Sequence, residues 1–278
     1  CPAWVTYMEK EYGSSLAHLS SAKSPMGMFG AVAKTYYAEK ADIPAKDIVT
    51  VAIMPCTAKK AEAQRPGLGR GGQPDIDYVL TTRELIKLIK YVGLSLQNLP
   101  ESEFDSPLGT GTGAGAIFGA TGGVMEAALR TVYEVVTGET LAKLDFTDVR
   151  GFEGIKECTV TLKGKDIHIA VAHTLKNARL IMEQVKKGTS PYDFIEIMAC
   201  PGGCIGGGGQ PIGTTNAIRK KRMASLYQID RSLPLRKSHE NPEIQTLYKE
   251  FLGEPLSEKS HELLHTHYHK VDKPYEFR

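Results

Sequence analysis

The period of the hydrophobic positions changes several times along the chain, and each change predicts an element. Pro2 to Tyr12 reads as a short helix, with Pro in its first turn and Trp4, Val5 and Met8 on one side. Ser24-Pro25 opens a second helix over about 26–38, with Met28, Phe29, Val32 and Ala33 facing inward. Ile48 to Met54 is a continuous apolar run of strand length, and a run without alternation predicts burial on both faces. It ends at Pro55-Cys56, and the polar stretch Thr57 to Gln64 restarts as helix. Tyr78 to Thr81 is a second short strand, and Thr82 caps a helix through Tyr91 with Leu85, Leu88 and Ile89 at helical spacing.

Residues 93–123 hold few periodic segments and many glycines, before a helix over Val124 to Val136 that packs Ala127, Ala128 and Leu129. The strands Lys156–Leu162 and Asp166–Ala172, separated by Lys163-Gly164-Lys165, form a hairpin signal. Leu175 to Lys187 is helical and ends at Gly188, Phe194 to Met198 is a further strand, and the tail beyond Pro211 is polar and helical. Strands alternating with helices place the chain in the α/β class. The expected architecture is two lobes of mixed, largely parallel sheets flanked by helices, approximately 1–150 and 151–278, with the active site between them at the glycine-rich region.

Composition narrows the function classes. With 278 residues, 41% of them hydrophobic, the chain can bury a sizeable core. Its formal net charge is 34 − 32 = +2, so no global field points to nucleic acid or to an anionic membrane. No apolar run approaches the ~20 residues of a membrane span, and no signal peptide is visible. The five cysteines, Cys1, Cys56, Cys158, Cys200 and Cys204, are an odd number, which argues against a closed disulfide framework and suits a reducing compartment.

Two of those cysteines stand at the carboxyl ends of strands, in Val51-Ala-Ile-Met-Pro-Cys56 and Ile195-Glu-Ile-Met-Ala-Cys200. Ligands of α/β sheets sit beyond the carboxyl ends of strands, so the matched endings predict one shared site. Cys204 follows in Cys200-Pro-Gly-Gly-Cys204-Ile-Gly-Gly-Gly-Gly-Gln210-Pro211, and with Cys1 makes four candidate thiolates. Four thiolates hold either zinc or an iron–sulfur cluster. One close pair joined by two distant single cysteines, with glycine at most flanking positions, favours iron–sulfur, because backbone N–H groups then approach the sulfurs closely. Helix starts near Cys56 and after Pro211 would turn positive dipole ends toward an anionic cluster. Cys158, on a strand, reads as core. Lys59 lies three residues after Cys56, where its ammonium folds back over the cluster mouth, and Met54 and Met198 precede their cysteines by two as pocket lining. Gly109-Thr-Gly-Thr-Gly-Ala-Gly115 lacks the Lys-Ser/Thr ending of a phosphate loop; its continuation permits close backbone approach to something small, with Phe118 as a hydrophobic wall. His261, His265, His267 and His269 have no acidic or cysteine partner at matching spacing and read as a solvated tail.

These residues resemble a known family. Cys1-Pro-Ala-Trp4, Met54-Pro-Cys56-Thr-Ala-Lys59-Lys-Ala-Glu62 and Glu196-Ile-Met198-Ala-Cys200-Pro-Gly-Gly-Cys204 with Gln210-Pro211 are similar to the three signature motifs of [FeFe]-hydrogenases, in the same order. The similarity runs almost the whole length, through Ser24-Pro25, Thr81-Thr-Arg-Glu84 and Ile117-Phe-Gly-Ala-Thr-Gly-Gly-Val-Met-Glu-Ala-Ala-Leu-Arg130. The resemblance implies an oxidoreductase that interconverts protons and H2 at an H-cluster, a [4Fe–4S] cubane joined through a cysteine sulfur to a di-iron unit carrying CO, cyanide and azadithiolate. Cys1, Cys56, Cys200 and Cys204 would then ligate the cubane, with Cys204 bridging to the di-iron unit. Lys59 would donate to a cyanide, Met54, Met198 and Phe118 would line the di-iron pocket, and Glu62 and Ser20 would belong to the proton relay.

The resemblance also implies partners: an electron carrier such as ferredoxin, maturation proteins, and no nucleic acid or membrane. It implies a cytoplasmic protein, with a periplasmic place for some members. Two departures from the family pattern stand out. Met26-Gly27 occupies the place where many members carry Gln-Gln after Ser-Pro. The first motif reads Thr-Ser-Cys-Cys-Pro-x-Trp in the family, and this chain begins at its second cysteine. The expectation is most of one H-cluster catalytic domain whose upstream segment, with the relay cysteine, lies outside the 278 residues; this chain alone would not turn over. The competing expectations are a sensory or non-catalytic hydrogenase-like iron–sulfur protein, including an assembly protein, and a structural zinc protein.

Overall fold

A computed structural model describes residues 1–272. In chain order the first half comprises α1 (Pro2–Glu11), α2 (Pro25–Val32), α3 (Ala38–Lys40), β1 (Val51–Met54), α4 (Ala58–Glu62), β2 (Gly69–Arg70), β3 (Gln73–Pro74), β4 (Tyr78–Thr81), α5 (Thr82–Tyr91), α6 (Gly113–Ile117) and α7 (Gly123–Thr137). The second half comprises β5 (Ile155–Leu162), β6 (Lys165–His173), α8 (Leu175–Lys187), β7 (Phe194–Met198), α9 (Asn216–Ser232), α10 (Pro242–Leu247) and α11 (Glu258–Leu264). The α/β class follows directly from this alternation.

The larger sheet runs β5-β6-β7, antiparallel between the first two and parallel between the last two. Lys163 and Gly164, both at positive φ (49° and 77°), turn the β5–β6 hairpin, and this twist matches that of the flanking strands. From Ile169 onward, central β6 is buried on both faces. Ala170 and Ala172 face a core made by Trp4, Met8 and Tyr12 of α1 with Ala178, Ile181 and Met182 of α8. Ile169 and Val171 face Met125 and Leu129 of α7 and Val149. Period-two alternation thus decides which helix each side chain meets.

The second sheet is the parallel pair β1–β4, with Met54 opposite Thr81, and β2–β3 is a two-residue antiparallel ribbon. Here the structure corrects the expectation of burial on both faces. Ala52 and Val79 pack with Met26, Ala63 and Ile76, whereas Val51 and Ile53 are 52% and 46% exposed. The sheet has two strands and helices cover one face only, so the apolar run was long enough for a buried strand without a second cover. Two helices differ in the same way. Phe29 of α2 is exposed while Met26, Gly27, Gly30 and Ala31 face inward, and Leu88 of α5 is half exposed. Helix α2 passes into a π-turn over 33–37 rather than running unbroken to Ala38. Thr81, not Thr82, caps α5: its hydroxyl accepts from the Glu84 N–H while the Glu84 carboxylate accepts from the Thr81 N–H, a reciprocal box.

Beyond residue 211 the chain folds back over the first half. α9 packs Met223 and Tyr227 against Ala114, Ile117 and Ala120. The tail then crosses α1 and α2, with the Thr266 N–H donating to the Ser21 carbonyl and the Val271 N–H to the Glu9 carbonyl.

A buried ion network ties α7 to α9. Arg130, fully buried, donates to Asp230 at 2.7 and 2.9 Å, to Glu126 at 2.8 Å, and to the Leu144 and Arg236 carbonyls, so all of its donor groups are engaged. Arg150 closes on Glu126 and Arg236 on Asp230. Arg130, at the centre, is fully satisfied, and removing one of its partners leaves a buried charge exposed to its full desolvation cost.

Candidate cluster site

The site forms where the ends of β1 and β7 meet the start of α1. Cys56 follows β1, and Cys200 and Cys204 lie in the loop after β7. Cys1 stands at the N-cap of α1, with its α-amino nitrogen in electrostatic reach of Lys59, Glu62, Cys56 and Cys204. The Cys204 thiol in turn feels Cys56, Lys59 and Cys200, and the Cys200 thiol feels Cys56. The structure therefore brings the four candidate cysteines to one place, while Cys158 sits on β5 in the core under α7. No cysteine is in a disulfide.

Glycine explains how the two cysteine loops come so close. A Cβ on Gly207 would lie 2.1 Å from the Pro55 carbonyl oxygen, and one on Gly209 would lie 2.8 Å from the Cys56 nitrogen. The Gly209 N–H donates to the Pro55 carbonyl at 2.9 Å, which locks the loops together. On the other side, the Cys200–Cys204 turn docks on 119–121 through Thr121 N–H to Gly202 carbonyl (2.9 Å) and Ile205 N–H to Gly119 carbonyl (3.0 Å). Gly203, at φ +95°, leaves no room for a side chain, since its Cβ would meet the Thr121 nitrogen at 2.6 Å.

The donor chemistry fits iron–sulfur better than zinc. The only described trio of His, Cys, Asp or Glu ligand atoms within 4.8 Å of one another is Glu134, His239 and Glu240, so no three cysteine sulfurs are that close. A tetrahedral zinc thiolate site, with Zn–S about 2.3 Å, needs sulfurs about 3.8 Å apart. A cubane spreads its four ligands over the corners of a larger body, and wide spacing is what it needs. The Gly208 N–H is directed at the Cys200 sulfur, the contact that stabilises a thiolate in a cluster. Burial pushes the Cys200 and Cys204 thiols above their ordinary pKa, with the neighbouring cysteines adding to the rise. Bound iron would supply the positive charge that keeps them deprotonated.

The remaining candidates fall in different places. Lys59, in α4, donates to the Glu62 carboxylate at 2.6 Å, both side chains nearly buried. Ser24 donates its hydroxyl to the same carboxylate at 3.2 Å while accepting from the Gly27 N–H as the cap of α2. Ser24 was legible only as a helix cap, and its contact with Glu62, 38 residues away, has no local signal. Ser20 is exposed and accepts from the Ala22 N–H; no hydrogen bond joins it to Glu62 among the described residues. Met54 lines an apolar cleft with Pro25, Met26 and Phe29. Phe118 lines a larger cavity of about 920 Å³ that shares Pro25 and Phe29 with that cleft. Met198 is buried at the end of β7 and lines neither.

Helices start near Cys56 and after Pro211, as the sequence predicts, though the first is short and the second is set back. α4 has only five residues and starts at Ala58, and α9 starts at Asn216, five residues past Pro211, with the Thr215 hydroxyl accepting from the Ile218 N–H. In the tail, His261 and His265 stack at 4.4 Å, and His265 shares a hydrogen bond with Ser21. Gly113–Ile117 is a short helix buried against α9.

Comparison with known proteins completes the site's description. Residues 1–208 match the family model of the iron only hydrogenase large subunit, C-terminal domain, and residues 216–271 match that of the iron hydrogenase small subunit. The chain is 54% identical over 271 residues to the NADP-reducing hydrogenase subunit HndD of Solidesulfovibrio fructosivorans, covering 97% of this chain and 46% of that protein. It is 31% identical over 282 residues to the cytosolic Fe-S cluster assembly factor narfl of Xenopus tropicalis, covering 98% of this chain and 58% of that one. It superposes on a solved [FeFe]-hydrogenase HydA(deltaEFG) structure with a TM-score of 0.84 at 45% identity, covering 97% of this chain and 75% of that chain. The chain spans about half the length of the curated hydrogenases it matches. No helix of the described residues is long and apolar enough to cross a membrane.

Proposed function

The chain belongs to the iron-only hydrogenase large-subunit family, and from that premise we propose that Cys1, Cys56, Cys200 and Cys204 hold the [4Fe–4S] part of an H-cluster and that the complete protein interconverts protons and H2. The observation that carries this reading is the meeting of four cysteines in one place, ringed by glycine backbone, with no three of their sulfurs within 4.8 Å of one another among the described residues. When bound, an H-cluster held by these cysteines, with Cys204 also reaching a di-iron unit bearing CO, cyanide and azadithiolate, would supply an open metal site, an electron store and a nearby base.

This chain's residues supply the rest. The Lys59 ammonium keeps donors free beyond the one given to Glu62. It therefore stands as a fixed positive charge at the mouth, suited to a cyanide. Met54 and Phe118, on cavities that share Pro25 and Phe29, offer polarisable or apolar walls, and Met198 would add to them only from its buried place two residues before Cys200. The Glu62 carboxylate, held between Lys59 Nζ and Ser24 Oγ, is the group placed to hold a proton near the site. Ser20 would join such a relay only through intervening water, because its hydroxyl faces the exposed 20–22 turn. Electrons would come from a carrier such as ferredoxin, and dedicated maturation proteins would install the di-iron unit.

Infrared spectroscopy of the complete protein after di-iron maturation tests the reading. CO and cyanide stretching bands are the expected result, and a matured protein without them overturns it. A second reading, an iron–sulfur assembly role, draws on the 31% identity to an assembly factor over nearly the whole chain. It requires a cubane with no di-iron bands.

A further inference from the structure

From the buried contacts behind the cysteine loop, we propose that Glu196 is a positioning residue that holds Cys200 and Cys204 in register with the 119–123 turn. The proposal rests on the cluster-ligand reading above. Glu196 stands on β7, four residues before Cys200, and is 7% exposed. Its two carboxylate oxygens accept from the Gly122 N–H at 2.6 Å and the Met125 N–H at 2.7 Å.

These are the free donors at the start of α7, whose N-cap, Gly122, has no side chain to satisfy them. A carboxylate from another element therefore does the capping, and it fixes where α7 begins relative to β7. The consequence reaches the cysteines. The turn just before α7 carries the Gly119 carbonyl and the Thr121 N–H, and these are the two groups on which the Cys200–Cys204 loop docks. Gly203 lies flat against the same backbone. The loop is thus held at both ends by one residue: β7 delivers Cys200 directly, and Glu196 anchors the turn that receives Cys204.

Lys156 sits in the same row of the sheet, opposite Val171, which is opposite Glu196. Its ammonium donates to the Gly151 carbonyl and adds a nearby positive charge without sharing the carboxylate's hydrogen bonds. Both oxygens of Glu196 act as acceptors, so the isosteric amide cannot replace it. One end of a glutamine would present N–H to N–H.

The test is hydrogen exchange on the full chain without metal, comparing wild type with Glu196→Gln. The proposal expects exchange at the Thr121 and Ile205 amides to rise about tenfold or more, while the α8 and α9 amides stay near wild type. A uniform rise across the chain, or a rise confined to 122–125 with Ile205 unchanged, overturns it. Should Glu196→Gln fail to fold, Glu196→Asp, which keeps the charge but shortens the reach, carries the same comparison. Reconstitution with iron and sulfide adds a spectroscopic readout. Wild type and variant are both loaded without oxygen, and the variant's reduced-state electron paramagnetic resonance is expected to split into more than one species. One unchanged species in the variant counts against the proposal. A wild type that takes up no cluster counts against the ligand assignment instead, and the exchange result still decides the role of Glu196.

Discussion

Gly207→Ala isolates the closeness of the two cysteine loops as a single variable. Gly207 has φ −64° and ψ 154°, a conformation open to any residue, so the substitution adds no backbone strain of its own. What it adds is one methyl group whose Cβ would lie 2.1 Å from the Pro55 carbonyl oxygen. A carbon and a carbonyl oxygen settle at about 3.3 Å, so the loops must part by about 1.2 Å. The Gly209 N–H to Pro55 carbonyl bond, now 2.9 Å, cannot follow that movement. Overpacking of this kind costs about 1–3 kcal/mol, and the lost hydrogen bond contributes about 1 kcal/mol of that order. The effect on metal binding is larger in proportion, because ligand distances tolerate only about 0.2 Å.

Gly208→Ala is the matched control in the same loop. Its Cβ meets nothing nearer than Thr57 Oγ1 at 3.3 Å, a contact a rotating side chain can relieve. Two assays read the pair: denaturant unfolding of the metal-free chain, and iron bound per chain after anaerobic reconstitution. Gly207→Ala is expected to lose about 2 kcal/mol and most of its iron, and Gly208→Ala neither. Full iron loading by Gly207→Ala would refute the argument that these loops must touch to form the site.

Other outcomes follow from the same geometry. Arg130→Met leaves Glu126 and Asp230 without their shared buried partner and is expected to cost about 3–5 kcal/mol in urea unfolding, although the methionine fills similar space. Thr174, at φ +71° and ψ 143°, occupies backbone space that suits glycine; Thr174→Gly is expected to raise stability by about 1 kcal/mol, and a loss would show that no strain is stored there. Lys237 and the Leu141 N–H hold the Glu134 carboxyl at about 2, below its usual 4.5. A depressed folded-state pKa stabilises above the unfolded value and loses that contribution as pH falls from about 4.5 to about 2, so Glu134→Gln is expected to flatten the acid limb of the stability profile.

Much of the frame was legible in the chain, and the reasons are local. Helix α8 and strand β7 have the bounds their periodicity predicts, because an amphipathic run ending in Gly188 and an apolar run ending at a cysteine turn each carry their own signals. The β5–β6 hairpin was readable from Lys163-Gly164. The exposure of Val51 and Ile53 was not, because a strand's composition says nothing about how many strands or helices will cover it. The meeting of the cysteines was foreshadowed by matched strand endings. What holds them in place was not: Glu196 caps a helix more than 70 residues away, and Arg130 pairs with Asp230 at a separation of 100. Contacts of that range leave no period in the sequence. Ser20 and Glu62 show the converse limit, since the family resemblance implied one relay for both while no direct hydrogen bond joins them among the described residues.

The central claim is that four particular cysteines, and not the fifth, hold a cubane. Anaerobic reconstitution with iron and sulfide, followed by iron analysis and electron paramagnetic resonance of each cysteine-to-serine variant, tests it most directly. The expected result is about four iron atoms per chain and a reduced-cluster signal in wild type and in Cys158→Ser. Cys1→Ser, Cys56→Ser, Cys200→Ser and Cys204→Ser should each lose or visibly alter that signal. A wild-type chain that binds zinc in place of iron, or a Cys158→Ser variant that loses the cluster while Cys200→Ser keeps it unchanged, would contradict the assignment.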